Sequence, residues 1–250
     1  MKLEYDVERQ QNSFKTEKDY KDYQIERRIH INMIDSMNED LLKNDSITNK
    51  NIQGLKIAVF GTQGSGKTEC SKHVIRTSFK APLVLTPHIH DFENEKCNLI
   101  ITNNETDMDD LICDAVKLAK AGKIDVIVID EADMWFRSGQ NLKPNAVDLF
   151  SNHRHYPEGK GVSVMLISRR PQDIPTIYVE SCQFILIYKL EGDNVQKKFN
   201  GIKKGFGDLI TREEFKYKTY LYFLKEIGEE PVLCSPIPYK EKKTKKAVLL

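Results

Sequence analysis

The chain is poor in several features that would assign it to a particular class of protein. Its five cysteines are odd in number and include no C-x-x-C pair, which argues against a disulfide framework or a structural zinc site. Lysine and arginine (38) nearly balance aspartate and glutamate (37), so no overall field directs the protein to nucleic acid or to a membrane. Any such binding must depend on a local patch.

Long apolar runs are also missing. No run approaches the length needed to cross a bilayer, and no apolar signal segment follows Met1. We therefore expect a cytoplasmic protein with reduced thiols and no membrane insertion, located in the host cytoplasm if a virus encodes it. A length of 250 residues suits one sizeable α/β domain with appendages.

The two ends of the chain are predicted to lie outside that domain. Residues 1–50 are polar and resemble an extension, but apolar residues recur every four positions and predict an amphipathic helix over about residues 18–42. Its apolar face has two open interpretations, packing on the chain's own core or contact with a partner. We expect a P-loop ATPase domain over residues 51–235, followed by a basic tail over residues 236–250.

Residues 61–68 carry the most informative motif of the chain, since they fill every position of the phosphate-binding loop G-x-x-x-x-G-K-[ST]. The motif predicts ATP binding, with Lys67 on the β- and γ-phosphates and the Thr68 hydroxyl on Mg²⁺. An apolar strand precedes the loop and a helix follows it, as this motif requires. The predicted nucleotide-binding residues are Gly61, Thr62, Gln63, Gly64, Ser65, Gly66, Lys67, Thr68 and Glu69.

Beyond the loop, continuous apolar runs alternate with helical patterns. Such runs are typical of parallel strands buried on both faces. We therefore predict an α/β fold, the P-loop NTPase (RecA/ASCE-like) three-layer sandwich with a mostly parallel sheet. The predicted strands cover residues 55–60, 83–85, 98–101, 125–130, 162–168 and 184–190, the predicted helices cover residues 69–79, 108–121 and 145–155, and a closing strand or hairpin is expected after Phe215.

The strand over residues 125–130 ends in two carboxylates, Asp130 and Glu131, which is the Walker B pattern. Open α/β sheets place their ligands at the carboxyl ends of their strands. Asp130 is predicted to hold Mg²⁺ together with Thr68, and Glu131 to polarise the attacking water. The alternative is that Glu131 only caps the segment that follows it.

Residues 152–175 form the second informative region. They place Arg154 after a helix, then an apolar strand that ends at Ser168, and then Arg169, Arg170 and Pro171. With the phosphate-binding loop and the Walker B strand, this order resembles the HerA/FtsK-type superfamily of ATPases, which includes viral genome-packaging ATPases. The resemblance covers about residues 55–189. Relatives often carry a Gln sensor where this chain has Arg169, so Ser168, Arg169 and Gln172 all stay candidates for the sensor.

The resemblance implies an oligomeric ATPase that translocates double-stranded DNA, namely a viral genome-packaging motor. It further implies a homo-oligomeric ring such as a hexamer, with a capsid or portal protein as a further partner. An arginine supplied by the neighbouring subunit would complete the site, and Arg169 or Arg170 is the predicted residue, with Arg154 next. Two other functions stay open: a Zot-like phage assembly ATPase that acts on protein, and a nucleotide switch or small-molecule kinase.

Two smaller patterns are given structural interpretations. His88, His90 and Asp91 could suggest a metal site, but no further His or Cys cluster completes a ligand set, so we expect the polar exit of a strand. Trp135 and Phe136 follow the Walker B carboxylates, and we expect them to be buried against the sheet rather than to stack on a base.

Overall fold

The computed structural model describes residues 54–210, apart from residues 104, 138, 158–159 and 189, together with the backbone of two further strands at residues 222–225 and 232–234. The predicted helix over residues 18–42 and the basic tail lie outside the described residues. The domain boundaries at residues 50 and 235 therefore stay predictions.

Six strands form the parallel part of the sheet, in agreement with the alternating apolar runs of the sequence. They are arranged in the order β3-β2-β4-β5-β1-β6, so β1 lies between β5 and β6. Their bounds are Lys56–Phe60 (β1), Pro82–Thr86 (β2), Asn98–Ile101 (β3), Val126–Ile129 (β4), Ser163–Ser168 (β5) and Phe184–Ile187 (β6).

Two antiparallel strands extend this sheet beyond β6. Tyr222–Lys225 (β7) pairs with β6, and Val232–Cys234 (β8) pairs with β7. The predicted closing hairpin is therefore confirmed at the level of the backbone. The described strands number eight, of which the first six in the chain are parallel.

Helices connect the parallel strands. The helix Met108–Lys120 has a cap at each end: Asp107 accepts a hydrogen bond from the Asp109 amide at its start, and Gly122 has a left-handed φ of 68° just past its end. The helices are Lys67–Ser78 (α1), Ile89–Phe92 (α2), Met108–Lys120 (α3), Pro144–Asn152 (α4), Thr176–Glu180 (α5), Asp193–Ile202 (α6) and Phe206–Leu209 (α7).

The core lies on both faces of the sheet, which confirms the three-layer sandwich. Along β1, Ala58 and Phe60 belong to one buried cluster, whereas Ile57 and Val59 belong to the other. Alternate residues of a strand point to opposite faces, so each face needs its own apolar cover. Residues of α3, α4 and α6 pack in the first cluster and residues of α1 in the second.

Some predicted bounds differ from the structure. The helix predicted over residues 145–155 ends at Asn152, and a separate 3₁₀ turn covers His153–His155. The strand predicted to reach residue 190 ends at Ile187, and the helices α5, α6 and α7 were not predicted from the sequence. Within the described part of the chain, no helix has both the length and the apolar content that a membrane crossing requires.

Candidate nucleotide-binding site

The phosphate-binding loop joins the end of β1 to the start of α1. The Gly61 amide donates to the Ser168 carbonyl at 3.3 Å, so the loop starts beside the end of β5. Gly64 and Gly66 have φ values of 74° and 97°, the left-handed region that glycine adopts without strain. Gly66 is the N-cap of α1 and offers no side-chain cap, so the first amides of this helix are free to bind an anion.

Close packing explains the first glycine of the loop. A Cβ atom at Gly61 would lie 2.7 Å from the Tyr188 Cβ and would overlap the Ser65 hydroxyl. Both Ser65 and Tyr188 are buried, so neither side chain has room to withdraw. The start of the loop is thus packed closely against Tyr188, the residue that follows β6.

Lys67 is buried at the start of α1, as expected for a lysine that binds a phosphate inside the loop. Its backbone carbonyl accepts a hydrogen bond from the Ser71 hydroxyl at 2.9 Å. Thr68 and Glu69, the other predicted ligands on this helix, are partly exposed, and Glu69 pairs with Lys72 at 2.8 Å. Glu69 therefore has an ordinary surface partner.

Asp130 follows β4 directly and is 2% exposed. The Thr86 hydroxyl donates to its Oδ2 at 2.8 Å, and the Glu131 amide donates to its Oδ1 at 3.0 Å. The Asp130 amide donates to the Leu85 carbonyl of β2, which anchors the backbone at the sheet edge. Each carboxylate oxygen is thus held by one hydrogen bond and keeps further acceptor capacity.

Burial raises the pKa of the Asp130 carboxyl to about 6, and the negative charge of Glu131 adds to this effect. The hydrogen bonds from Thr86 and Glu131 and the positive charge of Lys67 act in the opposite direction. The buried, adjacent carboxyl groups of Asp130 and Glu131 favour binding of a cation between or beside them. The donor set of the Asp130 carboxylate and the Thr68 hydroxyl fits Mg²⁺, which binds few protein ligands and keeps several waters.

We expect Asp130→Asn to change the pH dependence of stability. The folded protein keeps the Asp130 proton to a higher pH than the unfolded chain does, so ionisation of this group favours unfolding as the pH rises from about 4 to about 6. The asparagine variant lacks this cost. Without metal or nucleotide, its free energy of unfolding relative to wild type should rise by about 1 kcal/mol between pH 5 and pH 7.5, measured by urea unfolding.

Asp148→Asn is the matched control for this measurement. Hydrogen bonds from Asn152 and Tyr156 lower the pKa of the Asp148 carboxyl, so its ionised form stabilises the fold. Asp148 is ionised in both the folded and the unfolded chain above about pH 5, so the free energy of unfolding of this variant relative to wild type should stay constant between pH 5 and pH 7.5. The same pH trend in both variants would contradict the assignment of a raised pKa to Asp130.

Glu131 is the other carboxylate at this edge, with a side chain that is 8% exposed. Its φ of 49° is the single positive value outside glycine in the described part of the chain. Such a backbone conformation is strained for a residue other than glycine and is often found at functional sites. The Glu131 Oε2 accepts a hydrogen bond from the Arg169 Nε at 2.8 Å, and its Oε1 lies 3.8 Å from the His88 Nε2.

The residues after β5 form a hydrogen-bonded turn beside this carboxylate. The Ser168 hydroxyl donates to Asp133 Oδ1 at 2.8 Å and accepts from the Arg170 amide at 3.0 Å. The Arg170 side chain points away from Glu131 and is 69% exposed. Its nearest acidic partner is Asp173, with 3.8 Å between the Arg170 Nη1 and the Asp173 Oδ2. Of the two adjacent arginines, Arg169 lies in its own chain's site and Arg170 faces outward.

The other predicted residues of this region lie elsewhere. Arg154 packs beside Gly54, which precedes β1 and therefore lies at the opposite edge of the sheet from the phosphate-binding loop. Gln172 is partly buried, and its Oε1 has no partner in the described structure. Of the three sensor candidates, Arg169 is the one that contacts Glu131.

Sequence reasoning gave no role in the site to Thr86 or Asp133, and it read His88 only as part of a polar strand exit. Thr86 is the last residue of β2, His88 lies two residues further on, and Asp133 follows the Walker B pair, so the signal was a polar residue at or just after the carboxyl end of a strand. Within the described residues no group of three or more His, Cys, Asp or Glu side chains could hold a metal ion by itself. His88 and His90 are exposed, and Ile89–Phe92 forms a short helix after β2.

The structure confirms burial for Phe136, whereas Trp135 is only partly buried and packs against the same core cluster. Phe136 makes an edge-to-face contact with Phe150 of α4, with ring centroids 5.2 Å apart. This packing holds the segment after Glu131 against the sheet.

Comparison with known proteins agrees with this geometry. Residues 57–189, more than half of the chain, match the family described as "ATPase family associated with various cellular activities (AAA)". No curated protein sequence is similar enough to count as a relative.

Similar solved structures include the genome packaging NTPase B204 from Sulfolobus turreted icosahedral virus 2 in complex with AMP, at a TM-score of 0.60 and 16% identity, covering 74% of this chain and 98% of that chain. The complex of the same protein with ATP-gammaS matches at a TM-score of 0.59 and 16% identity, covering 76% of this chain and 100% of that chain. B204, the DNA-packaging ATPase from Sulfolobus turreted icosahedral virus, matches at a TM-score of 0.59 and 18% identity, covering 73% of this chain and 98% of that chain.

Proposed function

This chain belongs to the AAA family of ATPases, and from that premise we propose that it is a DNA translocase of the HerA/FtsK type whose ATP hydrolysis packages a viral genome. The single observation that carries the hydrolytic part is the pair Asp130 and Glu131, which follow β4 at the same sheet edge as the phosphate-binding loop. A switch or a kinase has less need of a second carboxylate that can activate water.

The residues of the site have separate tasks in hydrolysis. The loop amides and Lys67 bind the phosphates, and Asp130 with Thr68 would hold Mg²⁺, which when bound neutralises phosphate charge. Glu131 accepts a proton from the attacking water as that water approaches the γ-phosphate in line. Its buried, strained position beside the loop keeps the carboxylate close to where the water must lie.

We propose that Arg170 is the arginine that reaches the nucleotide site of a neighbouring subunit. Arg169 already contacts Glu131 of its own chain at 2.8 Å, whereas Arg170 is 69% exposed and has only a long contact of 3.8 Å with Asp173. An exposed guanidinium at a subunit boundary can reach a γ-phosphate across it. The exposed Ile177 of α5, 73% accessible and a few residues further along, supplies apolar surface for such a contact.

Double-stranded DNA is the inferred substrate, and a homo-oligomeric ring the inferred assembly. This chain covers almost the full length of structures described as packaging ATPases. A likeness at 16–18% identity supports the fold, so the DNA itself is our inference. In the described region the long helices and strands are those of the ATPase core, which suits a motor that does not read DNA sequence.

The test is the ATPase rate of the full chain with and without double-stranded DNA. We expect DNA of any sequence to raise the rate by roughly tenfold, and we expect the DNA concentration needed for half of this effect to rise with salt, because the contacts are with phosphates. An ATPase rate indifferent to DNA in a monomeric protein would favour the nucleotide switch. Stimulation by a protein partner alone would favour the assembly ATPase.

A further inference from the structure

The edge of the sheet opposite the nucleotide site carries a row of lysines. Because β1 to β6 run parallel, their amino ends all lie at this edge, which we call the amino edge. A lysine lies at the start, or two or three residues before the start, of each of the five adjacent strands from β3 to β1. In the order of the sheet they are Lys96 (β3), Lys80 (β2), Lys123 (β4), Lys160 (β5) and Lys56 (β1). Neighbouring strands lie about 4.8 Å apart, so the strand starts span about 19 Å.

Hydrogen bonds join the loops of this edge into one surface. Both carboxylate oxygens of Asp125 accept backbone amides, from Lys80 at 2.6 Å and from Ala81 at 3.1 Å. The Asp125 amide donates to the Ala81 carbonyl in return, and the Asp125 carbonyl accepts from the Ser163 amide at 2.9 Å. The loops before β2, β4 and β5, each of which carries one lysine of the row, are therefore held in fixed positions relative to one another.

Most of these lysines are free to bind an external anion. All members of the row except Lys56 are exposed, and within the described residues their ammonium groups make no hydrogen bond or ion pair. Lys56 is half-buried and donates to the Ser181 hydroxyl at 2.9 Å. Several lysines on or beside the helices do have an acidic partner, namely Lys72 with Glu69, Lys117 with Asp114, Lys120 with Asp148 and Lys143 with Asp107. A free ammonium group, in contrast, loses no internal partner when it binds a phosphate.

The acids of the amino edge that the structure describes leave this positive charge largely uncompensated. Asp125 uses both oxygens for backbone amides, and Glu95 pairs with Arg76 at 3.3 Å. Arg154, which is exposed, adds a further cation beside the start of β1. Glu158 belongs to the loop before β5 and lies outside the described residues. The whole chain has a formal net charge of only +1, so the amino edge is a local patch and not part of an overall field.

We propose that the amino edge binds double-stranded DNA, with the lysines of the row on its backbone phosphates. Phosphates follow one another about every 3.4 Å along the axis of a DNA strand, so a row of about 19 Å faces several of them. The carboxyl edge is unsuited to this task, because Asp130, Glu131 and Asp133 make it acidic and because the phosphate-binding loop lies there. The inference rests on the proposed function and names the surface that the DNA contacts.

The lack of an apolar centre favours nucleic acid over an acidic protein as the partner. Large apolar side chains are exposed in the described structure at Ile89, Ile101, Val147 and Ile177, and none of these four lies on the loops of the amino edge. A stable protein interface has an apolar core, whereas contacts with DNA are more polar and much more positive. Lysines on phosphates carry no sequence information, so the bound DNA can have any sequence.

The experiment measures DNA binding, which needs no turnover. Fluorescence anisotropy of a labelled DNA duplex gives the affinity of the full chain at a series of salt concentrations, in the presence of ATPγS and Mg²⁺. Lys123→Gln combined with Lys160→Gln should lower the slope of log affinity against log salt by at least about 2, because each phosphate contact contributes about 0.9. At about 0.1 M salt the affinity should fall at least tenfold.

Two matched variants serve as controls. Lys117→Gln combined with Lys143→Gln removes the same charge from lysines that pair with Asp114 and Asp107, and it should leave the salt slope unchanged. Lys123→Arg combined with Lys160→Arg keeps the charge and should keep the affinity for DNA, since a guanidinium also binds phosphate. The affinity for ATPγS should be the same in all of these proteins, because the row lies at the opposite edge of the sheet.

The outcomes separate this inference from the proposed function. If the wild-type protein does not bind DNA, the proposed DNA translocase fails and the inference fails with it. If wild type binds DNA and the double glutamine variant binds it with the same affinity and salt slope, the amino edge alone is overturned. A variant that loses affinity for polyglutamate but not for DNA would assign the edge to an acidic protein instead. Should thermal melting show that the double variant is unfolded, each single variant replaces it, with an expected loss in slope of about 1.

Discussion

Replacing Glu131 by glutamine is expected to lower kcat for ATP hydrolysis by about 10²- to 10³-fold while the protein still binds ATP. Glutamine keeps the size of the side chain and its acceptor oxygen, but it cannot take a proton from the attacking water. Because Glu131 does not contribute to the phosphate-binding loop itself, the loss should appear in kcat and not as weaker binding. Steady-state kinetics and calorimetry on the same preparation measure both quantities.

Glu69→Gln is the matched control for this variant. Glu69 lies in the first turn of α1, close to the loop in sequence, but its carboxylate is paired with Lys72 at 2.8 Å on a partly exposed face. This substitution should leave kcat within about threefold of wild type, since an exposed ion pair of this kind contributes little. A kcat for Glu131→Gln within about fivefold of wild type would exclude Glu131 as the general base.

Replacing Arg170 by alanine is expected to lower the ATPase rate of the assembled protein by about 10³-fold, the lower end of the range for an arginine supplied in trans. The free energy of unfolding should hardly change, because the Arg170 side chain is 69% exposed and has one long contact with Asp173. Turnover and urea unfolding of the same variant separate a role in catalysis from a role in folding.

Mixing two inactive variants tests whether Arg170 acts across subunits. In an equal mixture of Arg170→Ala and Glu131→Gln, about one quarter of the interfaces in a ring combine an intact Glu131 with an intact neighbouring Arg170, so part of the activity should return. If Arg170 acted within its own chain, no mixture could recover activity. In contrast, Arg154→Ala alone should be nearly neutral, and a large loss there would transfer the role to Arg154.

Much of the fold and of the nucleotide site could be predicted from local sequence patterns. The phosphate-binding loop needs glycines at Gly61, Gly64 and Gly66 for reasons of close approach and backbone conformation, and these reasons act within a few residues. The apolar runs indicated a sheet covered on both faces, which the alternation of Ile57 and Ala58 between two core clusters confirms.

The contacts inside the site could not be predicted in the same way. Thr86 and Asp130 are 44 residues apart, and Glu131 and Arg169 are 38 residues apart. They meet because β2 and β5 are the two neighbours of β4 in the sheet, and strand order is decided by packing of the whole domain. The sequence offered Arg169 and Arg170 as equivalent candidates, whereas the structure places one on Glu131 and the other at the surface.

By itself, the sequence determined that this protein binds a nucleoside triphosphate and that two carboxylates follow the central strand, because both features depend on the chemistry of adjacent residues. Only the tertiary structure decided which side chains act together. The left-handed backbone of Glu131 and the 2.8 Å hydrogen bond from Arg169 arise where three strands end side by side. Side chains distant in sequence share one buried edge there, and no local pattern encodes that proximity.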